Sequence, residues 1–166
     1  MTRTKDIRVL AIDPSTRGFG FAMFEGPKKL VDWGGRTARV NKNAECLAKV
    51  KELITLYRPQ VIVVEDCEAK GSRRCGRVKD LIRSITALAK AHKIRVRSIS
   101  RLQVKQAFAS EHGTTKDRIA RIIVKSFHEL ADRVPRARKA WTSEGYGMSI
   151  FDAVALGMAY FNRRAE

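Results

Sequence analysis

Residues 9–24, VLAIDPSTRGFGFAMF, form two apolar runs that are separated by a turn sequence containing Pro, Ser and Gly. Short apolar runs on either side of such a turn are typical of two paired β-strands. The sequence KLVDWGGRT at residues 29–37 supplies a third run, so the start of the chain is predicted to be a three-strand meander. Asp13 stands at the end of the first predicted strand, where α/β folds commonly place ligand-binding side chains.

Beyond this meander the pattern alternates between helical spacing and further strands. VIVVE at residues 61–65 is a β-branched run, which favours a strand buried on both faces, and we expect it to pair with the first strand. The predicted elements after residue 40 are a helix ending at 58, the strand at 61–65, a helix at 78–90, a strand at 94–99, and helices at 102–109, 116–127 and 149–162. This order predicts one α/β domain over residues 1–166, with a mixed five-stranded sheet flanked by helices.

The charge balance indicates the class of partner. The 166 residues include 34 Lys and Arg against 17 Asp and Glu, which gives a net charge of +17. A chain this basic favours a polyanionic partner such as nucleic acid, with a merely solvated basic surface as the alternative. No stretch approaches the roughly 18 apolar residues that span a bilayer, and the basic start leads into a strand pattern rather than a signal peptide. We therefore expect a cytoplasmic protein without a membrane partner.

Three acidic residues, each at the edge of an apolar run, are candidates for one shared site: Asp13, Glu65 and Asp152. Ionised carboxylates beside buried aliphatic side chains carry a desolvation cost, which pairing, protonation or a cation must offset. Three of them in one place would repel one another, so the expected counter-charge is a divalent metal such as magnesium, which prefers hard oxygen ligands. The alternative is that each acid caps a separate turn or helix.

Four segments resemble, in the same order, the motifs of RuvC-type Holliday junction resolvases, which belong to the RNase H-like nuclease superfamily. The segments are LAIDPSTRGFGFA at 10–22, VVEDCEAKGSRRCGRVKDLIRSI at 63–85, VKQAFASEHGTTKDRIARIIVKSF at 104–127 and FDAVALGMAY at 151–160. The likeness extends over most of the chain. It implies a single RuvC-like nuclease domain with the RNase H-like fold, acting on branched DNA.

The resemblance also implies roles for particular residues. Asp13, Glu65 and Asp152 would be metal-binding catalytic acids, and Lys105 and Lys116 would be catalytic basic groups near the scissile phosphate. The implied cofactor is Mg²⁺ or Mn²⁺, with two ions in each site. Two such ions can activate a water molecule and stabilise the leaving oxygen, and a lysine can neutralise charge that builds on the phosphate. Without the resemblance, both lysines would be interpreted as surface residues of a basic chain.

Two positions depart from the family pattern. Ser149 stands where the family usually has an Asp or a His one turn before its last Asp, and a neutral hydroxyl binds metal weakly. Glu144 and Asp66 are therefore further candidate ligands, while the alternative role for Ser149 is the N-cap of the last helix. Glu68 stands where some family members carry an aromatic side chain that stacks at the junction centre, and a carboxylate cannot stack on bases.

Basic side chains in three clusters are the predicted phosphate contacts, which would position DNA without reading its sequence. They are Arg73, Arg74, Arg77, Lys79, Arg97, Arg101, Arg138 and Lys139. A four-way junction has near-twofold symmetry, so two matched nicks require a homodimer with C2 symmetry. Leu81, Ile85 and Leu88 in the helix at 78–90 are candidates for the dimer contact, with burial in the monomer core as the alternative.

These observations favour a crossover junction endodeoxyribonuclease, a metal-dependent DNA endonuclease that resolves four-way junctions by paired symmetric nicks. Metal-activated water would hydrolyse the phosphodiester. Two alternatives stay open. One is a junction-binding or nucleic-acid-binding protein whose turnover is weakened by Ser149, and the other is a branched-DNA nuclease of relaxed structure specificity.

Overall fold

A computed structural model describes residues 7–70, 74, 76–112, 115–134 and 147–165. Within these ranges the strands are β1 Arg8–Ser15, β2 Gly18–Glu25, β3 Leu30–Thr37, β4 Val61–Glu65 and β5 Arg95–Ile99. The α-helices are α1 Lys42–Tyr57, α2 Gly76–Ala91, α3 Arg101–Phe108, α4 Lys116–Ser126 and α5 Met148–Ala165. The order of these elements is the predicted one, and it confirms the mixed five-stranded sheet with flanking helices.

The sheet has the strand order β3-β2-β1-β4-β5. β1 runs antiparallel to β2 and parallel to β4, as the sequence of β4 predicts, and β4 in turn runs parallel to β5. Every residue of β4 is buried, because helices cover both faces of the sheet at its centre. The first strand and the VIVVE strand are therefore hydrogen-bonded neighbours.

Alternate side chains of the sheet supply two separate hydrophobic cores. Leu10 and Ile12 of β1 face α1 and α2, whereas Val9 and Ala11 face the layer that contains α3, α4 and α5. This alternation follows from the two-residue period of a β-strand. The chain thus forms three layers, with the sheet in the middle.

Two glycines allow α5 to lie directly on the sheet. A Cβ atom on Gly20 of β2 would come within 2.2 Å of the Ser149 carbonyl oxygen, and one on Gly157 would come within 2.2 Å of the Phe24 ring. Distances this short are far inside van der Waals contact, so any larger residue would push the helix away. The close approach of α5 fixes the position of its first turns over β1 and β2.

Two expectations are corrected. Leu81 and Ile85 of α2 are fully buried and Leu88 is partly buried, because α2 connects two parallel strands and its apolar face is used by the sheet. These residues are not available as a dimer contact in this structure. Ser149 is not an N-cap, since α5 begins at Met148 and Ser149 therefore lies within its first turn.

Some of the predicted residues lie outside the described residues: Arg73, Arg138, Lys139 and Glu144. Among the helices in the described ranges, none is long and apolar enough to cross a membrane.

Candidate active site

Asp13 and Glu65 stand side by side at the ends of neighbouring strands. The parallel pairing of β1 with β4 aligns Ile12 with Val64, and each acid is the next residue on its strand. Paired strands lie about 4.8 Å apart, so the backbones carry the two carboxylates to one edge of the sheet. Both residues are buried, with exposures of 3% for Asp13 and 8% for Glu65.

Asp152 reaches the same edge from α5. Gly20 pairs with Asp13 in the register of β1 and β2, and the start of α5 packs directly on Gly20. Asp152 lies about one turn after that contact, so its carboxylate faces the ends of the strands. Its Oδ2 accepts a hydrogen bond of 3.0 Å from Lys116 Nζ.

One pocket collects the predicted catalytic residues. Its polar lining combines three acidic side chains with four cationic ones and a hydroxyl: Asp13, Glu65, Asp152, Arg74, Arg101, Lys105, Lys116 and Thr115. Its apolar lining comes from α3, α4 and α5: Val104, Ile119, Phe151, Ala155 and Leu156. The five residues predicted to be catalytic thus surround one space, although they come from five different elements.

Helix caps fix the position of the lysines. The Ser100 hydroxyl accepts a hydrogen bond from the Gln103 backbone N–H, and the Gln103 side chain accepts one from the Ser100 N–H, which starts α3 in a defined place. Arg101 and Lys105 are four residues apart on α3, so they share one face of this helix. Thr115 caps α4 by accepting a hydrogen bond from the Arg118 N–H, and Lys116 follows directly.

Arg74 places its guanidinium between the two carboxylates at the strand ends. Its Nη2 donates to Asp13 Oδ1 at 2.6 Å, its Nη1 donates to the Pro14 carbonyl oxygen at 2.9 Å, and its Nε donates to Glu65 Oε2. The sequence predicts Arg74 only as a phosphate contact. In the structure it is a counter-charge inside the acidic cluster.

Burial and neighbouring charges shift the pKa values of Asp13 and Arg74 in this cluster. Burial raises the pKa of Asp13 to about 8, and repulsion from Asp152 adds to the rise, while Arg74 opposes it. Burial also acts against the charged form of Arg74, but the carboxylates of Asp13 and Glu65 outweigh it and raise the pKa of Arg74. Asp13 therefore keeps a proton near neutral pH unless a further cation favours its charged form.

The donor chemistry fits a divalent metal, although the side chains are not arranged around one. In the described part of the chain, no three acidic, histidine or cysteine side chains form a group that could hold a metal ion as they stand. Arg74 and Lys116 instead pair with the acids and balance part of their charge. The carboxylate oxygens of this pocket are hard ligands, which Mg²⁺ prefers.

The two other described candidate ligands lie beside the pocket rather than in its lining. Ser149 lines an adjacent cleft that shares Asp13 and Arg74 with the site. Asp66 lines another cleft that shares Glu65 and Lys105, and its Oδ1 accepts a hydrogen bond from the Glu68 N–H at 3.1 Å.

Three cations bind successive carbonyl oxygens of the turn after Asp13. Arg74 binds the oxygen of Pro14, Arg77 Nη2 binds that of Ser15 at 3.1 Å, and Lys42 Nζ binds that of Thr16 at 3.0 Å. The contact between Lys42 and this turn could not be found from the sequence, because nothing in the local pattern distinguishes Lys42 from other surface lysines. These contacts hold the turn in a fixed place beside the acids.

Arg97, Arg101, Lys79 and Glu68 occupy different surroundings. Arg97 lines a separate basic pocket near the C-terminal half of α5, whereas Arg101 lines the acidic pocket itself. Lys79 is half-buried on α2. Glu68 forms an exposed ion pair of 2.7 Å with Arg83 of α2, so its carboxylate is engaged at the surface.

No family model matches the chain. The crossover junction endodeoxyribonuclease RuvC of Alkaliphilus metalliredigens is 27% identical over 124 residues, which cover 69% of this chain and 76% of that protein.

Two solved structures share the fold. T. thermophilus RuvC in complex with a Holliday junction substrate superposes with a TM-score of 0.69 at 18% identity, covering 96% of both chains. The Fowlpox virus resolvase in complex with substrate Holliday junction DNA gives a TM-score of 0.56 at 16% identity, covering 93% of this chain and 99% of that one. The chain therefore has the RNase H-like fold of RuvC, and the resemblance to RuvC-type resolvases that its motifs indicate is confirmed.

Proposed function

We propose that this protein is a divalent-metal-dependent endonuclease that resolves four-way DNA junctions. The observation that carries the proposal is the single pocket formed by three acids and two lysines from five elements, namely Asp13, Glu65, Asp152, Lys105 and Lys116. Phosphodiester hydrolysis needs oxygens that bind metal and cations that balance charge on the phosphate, and this pocket offers both. The likeness to resolvases of four-way junctions supports branched DNA as the substrate.

Asp13, Glu65 and Asp152 would hold Mg²⁺ or Mn²⁺, and we propose two ions in each site. When bound, the ions supply an activated water molecule and stabilise the leaving 3′ oxygen of the phosphodiester. Ser149, Asp66 and Glu144 stay candidates for additional oxygen ligands. Of these, Ser149 and Asp66 lie in clefts next to the carboxylate pocket.

The chain's own side chains would position the phosphate and balance its charge. Asp13 and Glu65 are attached to hydrogen-bonded strands, so their separation is fixed before the substrate arrives. Lys105 and Lys116 line the same pocket, where they can neutralise the charge that develops on the phosphate during attack. The apolar wall that includes Phe151 and Leu156 limits water, which strengthens these electrostatic interactions.

A group of basic residues away from the pocket would bind a DNA arm. This arginine patch consists of Arg97 on β5 with Arg163 and Arg164 at the end of α5, and no acidic side chain is found among the described residues that line its pocket. Arg163 lies eleven positions after Asp152 on α5. The rise along the helix between these two residues is about 16 Å, or roughly half a turn of B-DNA. Arg101 lies in the carboxylate pocket itself, so basic groups are present at both ends of this path. Phosphate contacts along this path would recognise shape rather than base sequence.

Paired nicks require two active sites, so we propose a homodimer on the junction. Leu81 and Ile85 on the apolar face of α2 are buried in the monomer, so we propose that the partner contact uses other side chains. Light scattering of the protein alone and with an equimolar amount of junction measures the assembly. A mass of one chain per junction at saturation would contradict the proposal.

The cleavage experiment uses a fluorescently labelled four-way junction with Mg²⁺ or Mn²⁺. We expect nicks at symmetric positions in opposing strands, and we expect Asp13→Asn to abolish them while junction binding persists. Cutting by Asp13→Asn at the wild-type rate would contradict the assignment of the site.

Two other functions would give different results in the same assay. Tight junction binding without cutting in either metal would identify a binding protein, a possibility that the neutral Ser149 keeps open. Equal cleavage of flaps, forks and four-way junctions would identify a nuclease of relaxed structure specificity. Efficient cutting of the four-way junction alone would identify a resolvase.

A further inference from the structure

Arg74 engages the two acids that the proposed function assigns to metal binding. All three nitrogens of its guanidinium donate hydrogen bonds, to Asp13, to Glu65 and to the carbonyl oxygen of Pro14. The Arg74 side chain is 22% exposed, so it lies in the wall of the pocket and also reaches solvent. It lines both the carboxylate pocket and the adjacent cleft of Ser149.

We propose that Arg74 is a built-in counter-cation, which holds Asp13 and Glu65 in the metal-free protein and which a divalent metal must displace. This inference rests on the proposed function only where that function names the two acids as metal ligands. It adds a competition between a side chain and the cofactor, and this competition sets how tightly the cofactor binds.

Simultaneous binding of Arg74 and a metal is unfavourable for an electrostatic reason. Arg74 uses one oxygen of each carboxylate, and a dication on the remaining oxygens would lie beside the guanidinium with little water between the two charges. Like charges at such short range repel strongly in a buried site.

The turn after Asp13 keeps its supports when Arg74 leaves. Arg74 binds the carbonyl oxygen of Pro14, but Arg77 and Lys42 bind the next two carbonyl oxygens independently. Two of the three cations therefore continue to hold the turn. Displacement of Arg74 requires a change in one side chain rather than in the strands that carry the acids.

Calorimetric titration with Mg²⁺ and Mn²⁺, in the absence of DNA, tests the competition. We expect Arg74→Gln to bind the metal about tenfold more tightly than the wild type, because the charged hydrogen bonds that the metal must break are gone. Arg74→Lys should fall between the two, since a single ammonium group cannot bridge both carboxylates. The matched control is Lys90→Gln, which removes one positive charge from the exposed C-terminal end of α2 and should change the affinity less than about twofold.

A second measurement follows the wild-type protein itself and needs a variant only to assign one signal. The Nε–H group of Arg74 gives an NMR signal in ¹⁵N-labelled protein, which the spectrum of Arg74→Lys identifies by its loss. Saturation with Mg²⁺ should shift this signal, because Nε loses its bond to Glu65. No shift at saturation would overturn the inference.

The outcomes separate this inference from the proposed function. Equal or weaker metal affinity in Arg74→Gln overturns the competition, even if the protein cuts junctions in a metal-dependent manner. If Arg74→Gln binds the metal and the wild type binds none, the competition is supported, and Arg74 then excludes the metal from Asp13 and Glu65 in the wild type. A lack of metal binding by every form overturns the competition together with the metal dependence of the proposed function.

Discussion

Lys116 and Asp152, which are 36 positions apart, are joined by a hydrogen-bonded ion pair of 3.0 Å between Lys116 Nζ and Asp152 Oδ2. Lys116 is the first residue of α4, and Asp152 lies near the start of α5. Both side chains are largely buried, with side-chain exposures of 17% and 20%. The ion pair joins the start of α4 to the start of α5, and both side chains line the carboxylate pocket.

Lys116→Met should reduce junction cleavage about 100-fold, since it removes a cation that balances charge on the phosphate. Junction binding should change far less, because the proposed phosphate contacts include many other cations. The measurement is the single-turnover rate at saturating Mg²⁺. Lys125→Met removes a lysine from the last turn of the same helix, where it is exposed, and should cleave normally. Similar rates for both variants would remove Lys116 from the mechanism.

The metal-free protein should lose thermal stability as the pH rises from about 5 to about 8. Burial raises the pKa of Asp13 from an ordinary 3.8 to about 8. In this range the folded state keeps a proton that the unfolded chain releases, so each pH unit costs up to about 1.4 kcal/mol.

Asp13→Asn removes this titrating group, so its melting temperature should depend less on pH than that of the wild type. Differential scanning calorimetry in a metal chelator gives both values. Asp132→Asn, which changes an exposed acid, should keep the wild-type pH dependence. The same slope in Asp13→Asn and the wild type would show that Asp13 does not hold the proton.

Gly20→Ala should destabilise the fold by about 1–3 kcal/mol, because the new methyl group meets the backbone of Ser149 and moves the start of α5. The shift displaces Asp152 from the strand-end acids, so cleavage should also fall. Gly76→Ala is the matched control, since a Cβ there meets nothing within 4 Å. Its free energy of unfolding in urea should stay within about 0.5 kcal/mol of the wild type. An unchanged Gly20→Ala protein would contradict the close packing of α5.

Substitution of the arginine patch, Arg97, Arg163 and Arg164, by Gln should weaken junction binding and flatten its salt dependence. Each lost phosphate contact lowers the slope of log affinity against log salt by about 0.9. Fluorescence anisotropy in Ca²⁺ at several salt concentrations measures this slope. The control triple variant changes exposed cations on the opposite face of the sheet, at Arg39, Lys51 and Lys90, to Gln. If both triple variants lose the same slope, the patch has no special role.

The arrangement of the two strand-end acids could be predicted from the sequence. A β-branched run bounded by Pro and charge has to be buried at the centre of a sheet, and the strand with Asp13 is its natural neighbour. Glu65 therefore falls beside Asp13, and the structure confirms the pairing of the strands. The roles of these acids in metal binding stay predictions.

The behaviour of Arg74 and α2 could not be predicted in the same way. Arg73, Arg74 and Arg77 stand close together in the sequence, and only the folded geometry separates a guanidinium that meets two carboxylates from one that binds a carbonyl oxygen. The apolar stripe of α2 could serve a partner or the core. In the structure this stripe packs against the sheet, because α2 connects the parallel strands β4 and β5 and covers one face of the sheet.

Asp13 and Glu65 extend from the central strands, whereas Lys105 and Lys116 are carried by peripheral helices. Local opening of a domain begins in its outer, less hydrogen-bonded parts and reaches the middle of a sheet last. On warming, such a molecule would lose the placement of Lys105 and Lys116 while Asp13 and Glu65 keep theirs. Heat inactivation should therefore precede global melting, and should be reversible on cooling as long as the central strands hold.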